Sequence, residues 1–171
     1  MKDDSSTYFG DSKTLRTPAH RKMVIKFVRD QYPRARFQRI YDAATDGWGA
    51  QDFHRRSDKK GWTLTIVETT KDFIFGGFTT AEWESRWFFV HLKPCPHSFL
   101  FSVNEGSKYP MTRGGTDAIV CWSSYCAVFG NWELLISSDS NSNTGSWCRA
   151  NFACYKLPAA NGSRYPSMNG G

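Results

Sequence analysis

The chain has no paired-cysteine motif. Its five cysteines, Cys95, Cys121, Cys126, Cys148 and Cys154, form no CxxC and no repeated metal-ligand spacing. They read as reduced, mostly buried thiols in an intracellular protein, without a CxxC redox motif or a paired zinc-ligand spacing. No apolar run approaches a membrane span and no secretory hydrophobic region opens the sequence, so a cytoplasmic location is expected. There is no internal repeat, no phosphate loop ending in GKS or GKT, and no nucleophile–base spacing. No cofactor, metal or catalytic residue is therefore expected. "NGS" at Asn161–Ser163 matches a glycosylation sequon by pattern only.

What the sequence does hold is aromatic side chains, 16% of its 171 residues, and abundant Thr and Val. This length fits one domain with a real core. The composition favours strands over a helical bundle. Charge is uneven: residues 1–62 carry 14 Lys and Arg against 8 Asp and Glu, and residues 63–171 carry 8 against 8, so the whole net charge of +6 lies in the first third. Such asymmetry points to an acidic or anionic partner.

Residues 1–16 read as a flexible polar segment and 17–171 as a single domain. In "TPAHRKMVIKFVRDQYP", Thr17 is the expected N-cap, Pro18 the first helical residue and Tyr32-Pro33 the stop. Val24, Phe27 and Val28 share one face, leaving Arg21, Lys22, Lys26 and Arg29 as a basic outer side. "RFQRIYDA" has strand composition. "TLTIVE" and "FIFGGFT" suggest a hairpin, and "SFLFSV", "AIVCW", "WELLIS" and "FACYKL" continue the pattern. Seven strand candidates with two early helices predict an α+β, mainly β fold: a two-layer antiparallel sandwich flanked by a few helices.

A short helix over 49–57 places Ala50, Phe53, His54 and Ser57 on one face. His54 then reads as a hydrogen-bonded core residue rather than a general base. Arg55, Arg56, Lys59 and Lys60 read as solvated surface. Gly76 and Gly77 interrupt an aromatic strand where a missing Cβ permits a bulge or close backbone approach. In "DSNSNTG", Asp139, Asn141 and Asn143 have the 1, 3, 5 spacing of a calcium loop, but Thr144 stands where the loop needs Gly and Ala150 where it needs Glu, so Asx and Ser turns are the better account. Cys95-Pro96-His97 is half a zinc site without a second half.

These residues also carry a resemblance. "IYDAATDGWGAQDFHRRSDKKGWTLTIVETTKDFIFGGFTTAEW" resembles the N-terminal half of a TLDc domain, the family of oxidation-resistance proteins. The matching features are Tyr41, Asp46-Gly47, Phe53-His54, Lys60-Gly61 with Thr63-Leu64, Phe75 to Thr79 with Gly76 and Gly77, and Trp83. "SFLFSV", "AIVCWSSYCAVFG" and "LLISSDSNSNTGSW" extend the likeness over roughly residues 36–157. Ser57 stands where the family usually has Cys, Lys59 where it often has Gly, and Trp62 where it usually has Pro. The family ends in a further strand, and this sequence stops at "YPSMNGG", so one strand fewer is expected.

The resemblance implies a non-enzymatic interaction module, protection against oxidative stress, and binding of the vacuolar-type proton ATPase with an effect on its assembly, peripheral to organelle membranes. The expected partner surface is Trp48 to Lys60, including Arg55 and Arg56, assisted by Arg21, Lys22, Lys26 and Arg29. A second reading is an anionic surface, a phosphoinositide membrane or, more weakly, nucleic acid. It rests on Thr17–Arg39, where seven Lys and Arg face one Asp. A third is a hydrolase or peroxide-reacting enzyme using His54 or Cys148, the cysteine with a cationic sequence neighbour in Arg149.

Overall fold

Strand and helix formation follow the burial pattern of the sequence. A computed structural model describes residues 5–112, 116–148 and 154–155. Among these, helices α1 (Ser5–Phe9), α2 (Pro18–Arg29), α3 (Ala43–Asp46) and α4 (Ala50–Ser57) precede strands β1 (Thr63–Glu68), β2 (Ile74–Thr79), β3 (His91–Lys93), β4 (Phe99–Ser102), β5 (Ser107–Pro110), β6 (Ile119–Cys121), β7 (Tyr125–Phe129), β8 (Leu134–Ser137) and β9 (Trp147–Cys148). The strands form two antiparallel sheets, ordered β1-β2-β4-β5 and β3-β6-β7-β8-β9. The expected mainly-β sandwich is thus the architecture observed.

One core lies between the sheets, where Phe75, Leu100 and Tyr109 of the first meet Ile119, Phe129 and Leu134 of the second. A second core lies outside the first sheet, because period-2 alternation sends Ile74, Phe78, Phe99 and Phe101 the other way, onto Val24, Phe27 and Val28 of α2. β2 is consequently buried on both faces. The ends of α2 are as the sequence predicts: Thr17 Oγ1 accepts from His20 N at 3.1 Å, and Pro18 opens the helix.

One strand expectation fails, and the described part of the segment before Thr17 packs on the domain: α1 brings Phe9 within 5.3 Å of the Phe37 ring, and Leu15 is fully buried beside α2. The cause is Arg21, which donates to Leu15 O at 2.7 Å, Arg16 O at 3.2 Å and Gly10 O at 3.4 Å. "RFQRIYDA" forms no strand, because Asp42 instead caps α3, accepting from Ala44 N at 3.1 Å. Of "FACYKL", only Cys154 and Tyr155 are described, with Tyr155 bridging to Met111. Its other residues, the sequon and the expectation about a final strand lie outside the described residues.

Candidate functional site

The Phe53-His54 motif is set by α4, whose inner face buries Ala50, Phe53, His54 and Ser57 as the spacing predicts. Phe53 meets Tyr41 and Trp83 edge-on at 5.6 and 5.7 Å. Trp83 is fully buried and donates to Thr63 Oγ1 at 2.8 Å. Tyr41 donates to Gly47 O at 2.7 Å, and burial raises its phenol pKa well above the ordinary range. A Cβ on Gly76 would sit 1.9 Å from Thr65 O, and one on Gly77 2.6 Å from the Phe129 ring, so these glycines let β1 and the second sheet close on β2 without a bulge. Gly61 meets nothing within 4 Å; its φ of 75° accounts for it.

His54 is 4% exposed and both its ring nitrogens are engaged. Nδ1 lies 2.7 Å from Asp58 Oδ1, and Nε2 lies 3.0 Å from Tyr125 O and 3.2 Å from Trp122 O. Carbonyl oxygens only accept, so Nε2 is the donor there. The other oxygen of Asp58 accepts from Ser85 N at 2.7 Å and Ser85 Oγ at 2.6 Å. The imidazole therefore clasps α4, the Ser85 segment and the Trp122–Tyr125 turn. Serine, histidine and aspartate are all present, but the hydroxyl sits on the carboxylate, not on the imidazole, so the order required for nucleophile activation is not met.

Arg55, Arg56 and Lys60 line an open depression of about 300 Å³ with Arg39, Gln38 and Ile40. Its arginines already face carboxylates: Arg55 on Asp52 at 3.0 Å, Arg56 on Asp46 at 2.7 Å, and Arg39 on Asp11 at 2.6 Å. A backbone hydrogen bond from Asp42 holds the Asp46 carboxyl below its ordinary range, and Arg56 and Arg55 add to this. On α2, Lys26 pairs with Asp30, while Arg29 donates to Ala35 O at 3.1 Å. Arg21 and Arg29 thus hold the fold together and are not a uniform outer patch.

A family model for the TLDc domain matches residues 9–161, most of the chain. The chain belongs to the TLDc domain family. No curated protein matches it by sequence. The motif positions shared with the family now have physical roles in the TLDc fold: Tyr41, Phe53, His54 and Trp83 pack one cluster, and the glycines admit their neighbours. Two of the departures are also visible. Lys59, where the family often has Gly, takes a left-handed φ of 57°. Trp62, replacing Pro, is 57% exposed and lies 4.4 Å from the Tyr32 ring.

Sequence reasoning missed one feature of this TLDc domain. "RWFFVHL" passes from the Ser85 anchor through a bend into β3, leaving Trp87 67%, Phe88 90% and Phe89 82% exposed. Its aromatic content reads as core, and only the tertiary structure shows it exposed among the described residues. Thiol chemistry also falls differently than expected. Burial, with Glu133 and Glu105, pushes the Cys148 thiol up to about 12. Burial also raises Cys95, but hydrogen bonds from Ser98, Thr80 and Thr79 outweigh it and bring that thiol to about 7. The Asp139 loop is held by its own side chains, with Asn143 Nδ2 on Ser138 O at 2.7 Å and Asn143 Oδ1 accepting from Gly145 N at 2.8 Å. Among the described residues, no three His, Cys, Asp or Glu side chains converge as a metal site, and no helix is long and apolar enough to cross a membrane.

Proposed function

We propose that this TLDc domain is a non-enzymatic protein-interaction module that docks on a vacuolar-type proton ATPase at a cytoplasmic membrane face and influences its assembly. Protection against oxidative stress follows indirectly. The observation that carries this reading is the use made of His54: both ring nitrogens hold loops together, so the histidine of the shared motif serves presentation of a surface. The raised Cys148 thiol supports the same reading, since a neutral, half-buried thiol is a poor peroxide nucleophile.

The docking surface runs from Trp48, 39% exposed, through Arg55 and Arg56 to Lys60. Lys22 and Lys26 assist encounter by long-range attraction. The reading of residues 17–39 as an anionic-surface site is weakened by the carboxylates already placed on Lys26 and Arg39.

The test is capture of the tagged full chain from native lysate. ATPase subunits are expected with the native chain and reduced with Trp48→Ala/Lys60→Glu at an unchanged melting temperature. Failure to recover any ATPase subunit with folded protein rejects the partner. Peroxide consumption by the isolated chain that disappears in Cys95→Ser or in Cys148→Ser rejects the non-enzymatic role.

A further inference from the structure

We propose that the Trp87-Phe88-Phe89 bend is a membrane-interface anchor that inserts into the headgroup region of an anionic lipid bilayer. This rests on different residues from the protein-docking surface above and stands or falls separately.

Three consecutive side chains leave a backbone in different directions. Their joint exposure at 67%, 90% and 82% therefore means that the bend itself stands out from the body, with Val90 and Leu92 partly exposed behind it at 43% and 42%. A protrusion of this kind is surrounded on all sides by a fluid interface, whereas a protein partner must supply a slot of matching shape. Trp and Phe are the side chains that settle at the headgroup level, the rings in the apolar boundary and the indole N–H toward water. Contiguous exposed apolar surface of this kind marks a contact with a membrane or another molecule.

Charge favours the bilayer. Residues 87–90 carry none, and the only carboxylate from residue 84 to residue 93 is Glu84, set against Arg86 and Lys93. Lys93 and Arg86 both pair with Glu84, the latter at 2.7 Å, and His91 Nδ1 stands 3.7 Å away. Hydrogen bonds from Lys93 hold the Glu84 carboxyl below its ordinary range, with Arg86 adding to them. Residues 84–93 thus sum to one positive charge, with Glu82 and Asp58 just outside that stretch. Anionic headgroups meet no opposing carboxylate at the tip.

The bend is also held in place before any membrane is met. Ser85 is fixed on Asp58, Arg86 O accepts from Ser123 N at 3.0 Å, and Lys93 donates to Glu82 O at 2.7 Å. β3 pairs with β6 immediately after the bend. Anchoring at both ends lowers the ordering cost of insertion. No helix among the described residues spans a bilayer, so the contact is peripheral.

The test is flotation of the full chain with vesicles of phosphatidylcholine, alone or mixed with phosphatidylserine. The native chain should float with the mixed vesicles, less so at high salt, and Phe88→Ser/Phe89→Ser should weaken binding at least about tenfold at an unchanged melting temperature. Independently, brominated lipid should quench the native fluorescence, and Trp87→Phe should remove that quenching while still floating. No binding to mixed vesicles, equal binding by the double variant, or quenching that does not depend on Trp87 overturns the proposal. If the double variant binds vesicles normally but loses a captured protein, the bend is a protein contact and the lipid assignment is wrong.

Discussion

The His54 clasp and the aromatic bend lie next to each other and share Asp58 and Ser85, yet they reverse the usual distribution of polarity. One buries an imidazole at 4% exposure; the other leaves a phenylalanine 90% exposed. The buried polar group is compensated on both sides, by a carboxylate and by two carbonyls. The exposed rings have no such cover among the described residues. A clasp whose partners are all internal should matter to stability, and a bend without internal partners should matter to association. The difference between them can be broken or sharpened by measurement.

The largest effect is expected from His54→Ala. It empties a buried site and takes the imidazole away from Tyr125 O, Trp122 O and Asp58 Oδ1, which costs about 3 kcal/mol and lowers the melting temperature by roughly 10 °C. An unchanged melt would remove the distinction between clasp and bend. Gly77→Ala comes next, since its Cβ would meet the Phe129 ring at 2.6 Å. Overpacking of that kind costs about 2 kcal/mol, read as a shift in denaturant midpoint.

A smaller effect comes from alkaline pH. Cys126, beside Tyr125, has its thiol pushed up to about 12, first by burial and then by Asp139 and Asp52. A raised pKa means that the folded state favours the neutral thiol. Its stabilisation is fully present below the unfolded thiol value and is lost as pH rises through the folded one. One unit above the ordinary thiol pKa the loss is about 1 kcal/mol, and Cys126→Ala should flatten that part of the stability–pH profile. The smallest effect is expected from Phe88→Ser/Phe89→Ser, which should change unfolding free energy by less than about 0.5 kcal/mol because neither ring is buried. A large destabilisation by this pair would show that the bend supports the fold after all.

Much of this was legible in the sequence where the signal is local. Thr17 and Pro18 start α2, the i, i+3, i+4, i+7 spacing of Ala50, Phe53, His54 and Ser57 gives the inner face of α4, and alternating residues give the β1–β2 hairpin. What could not be read depends on distant partners. Arg21 looks like a surface cation until Leu15 O is seen against it. Asp58 shows no special spacing with Ser85, nor His54 with Trp122, which lie far along the chain. β3 has only three residues and β9 two, too short for periodicity to reveal. Trp87 to Phe89 carry the composition of a core strand, and only the position of the second sheet decides that they are outside it.

Strand β2 has one more consequence. It lies between β1 and β4, with α2 over one face and the second sheet over the other, so neither its edges nor its faces meet solvent. Local fluctuation gives water no route to its amides, which can exchange hydrogen only when the whole domain opens. The exchange rate of Phe75 to Phe78 is therefore an internal gauge of global unfolding, against which the faster opening of any outer loop can be timed.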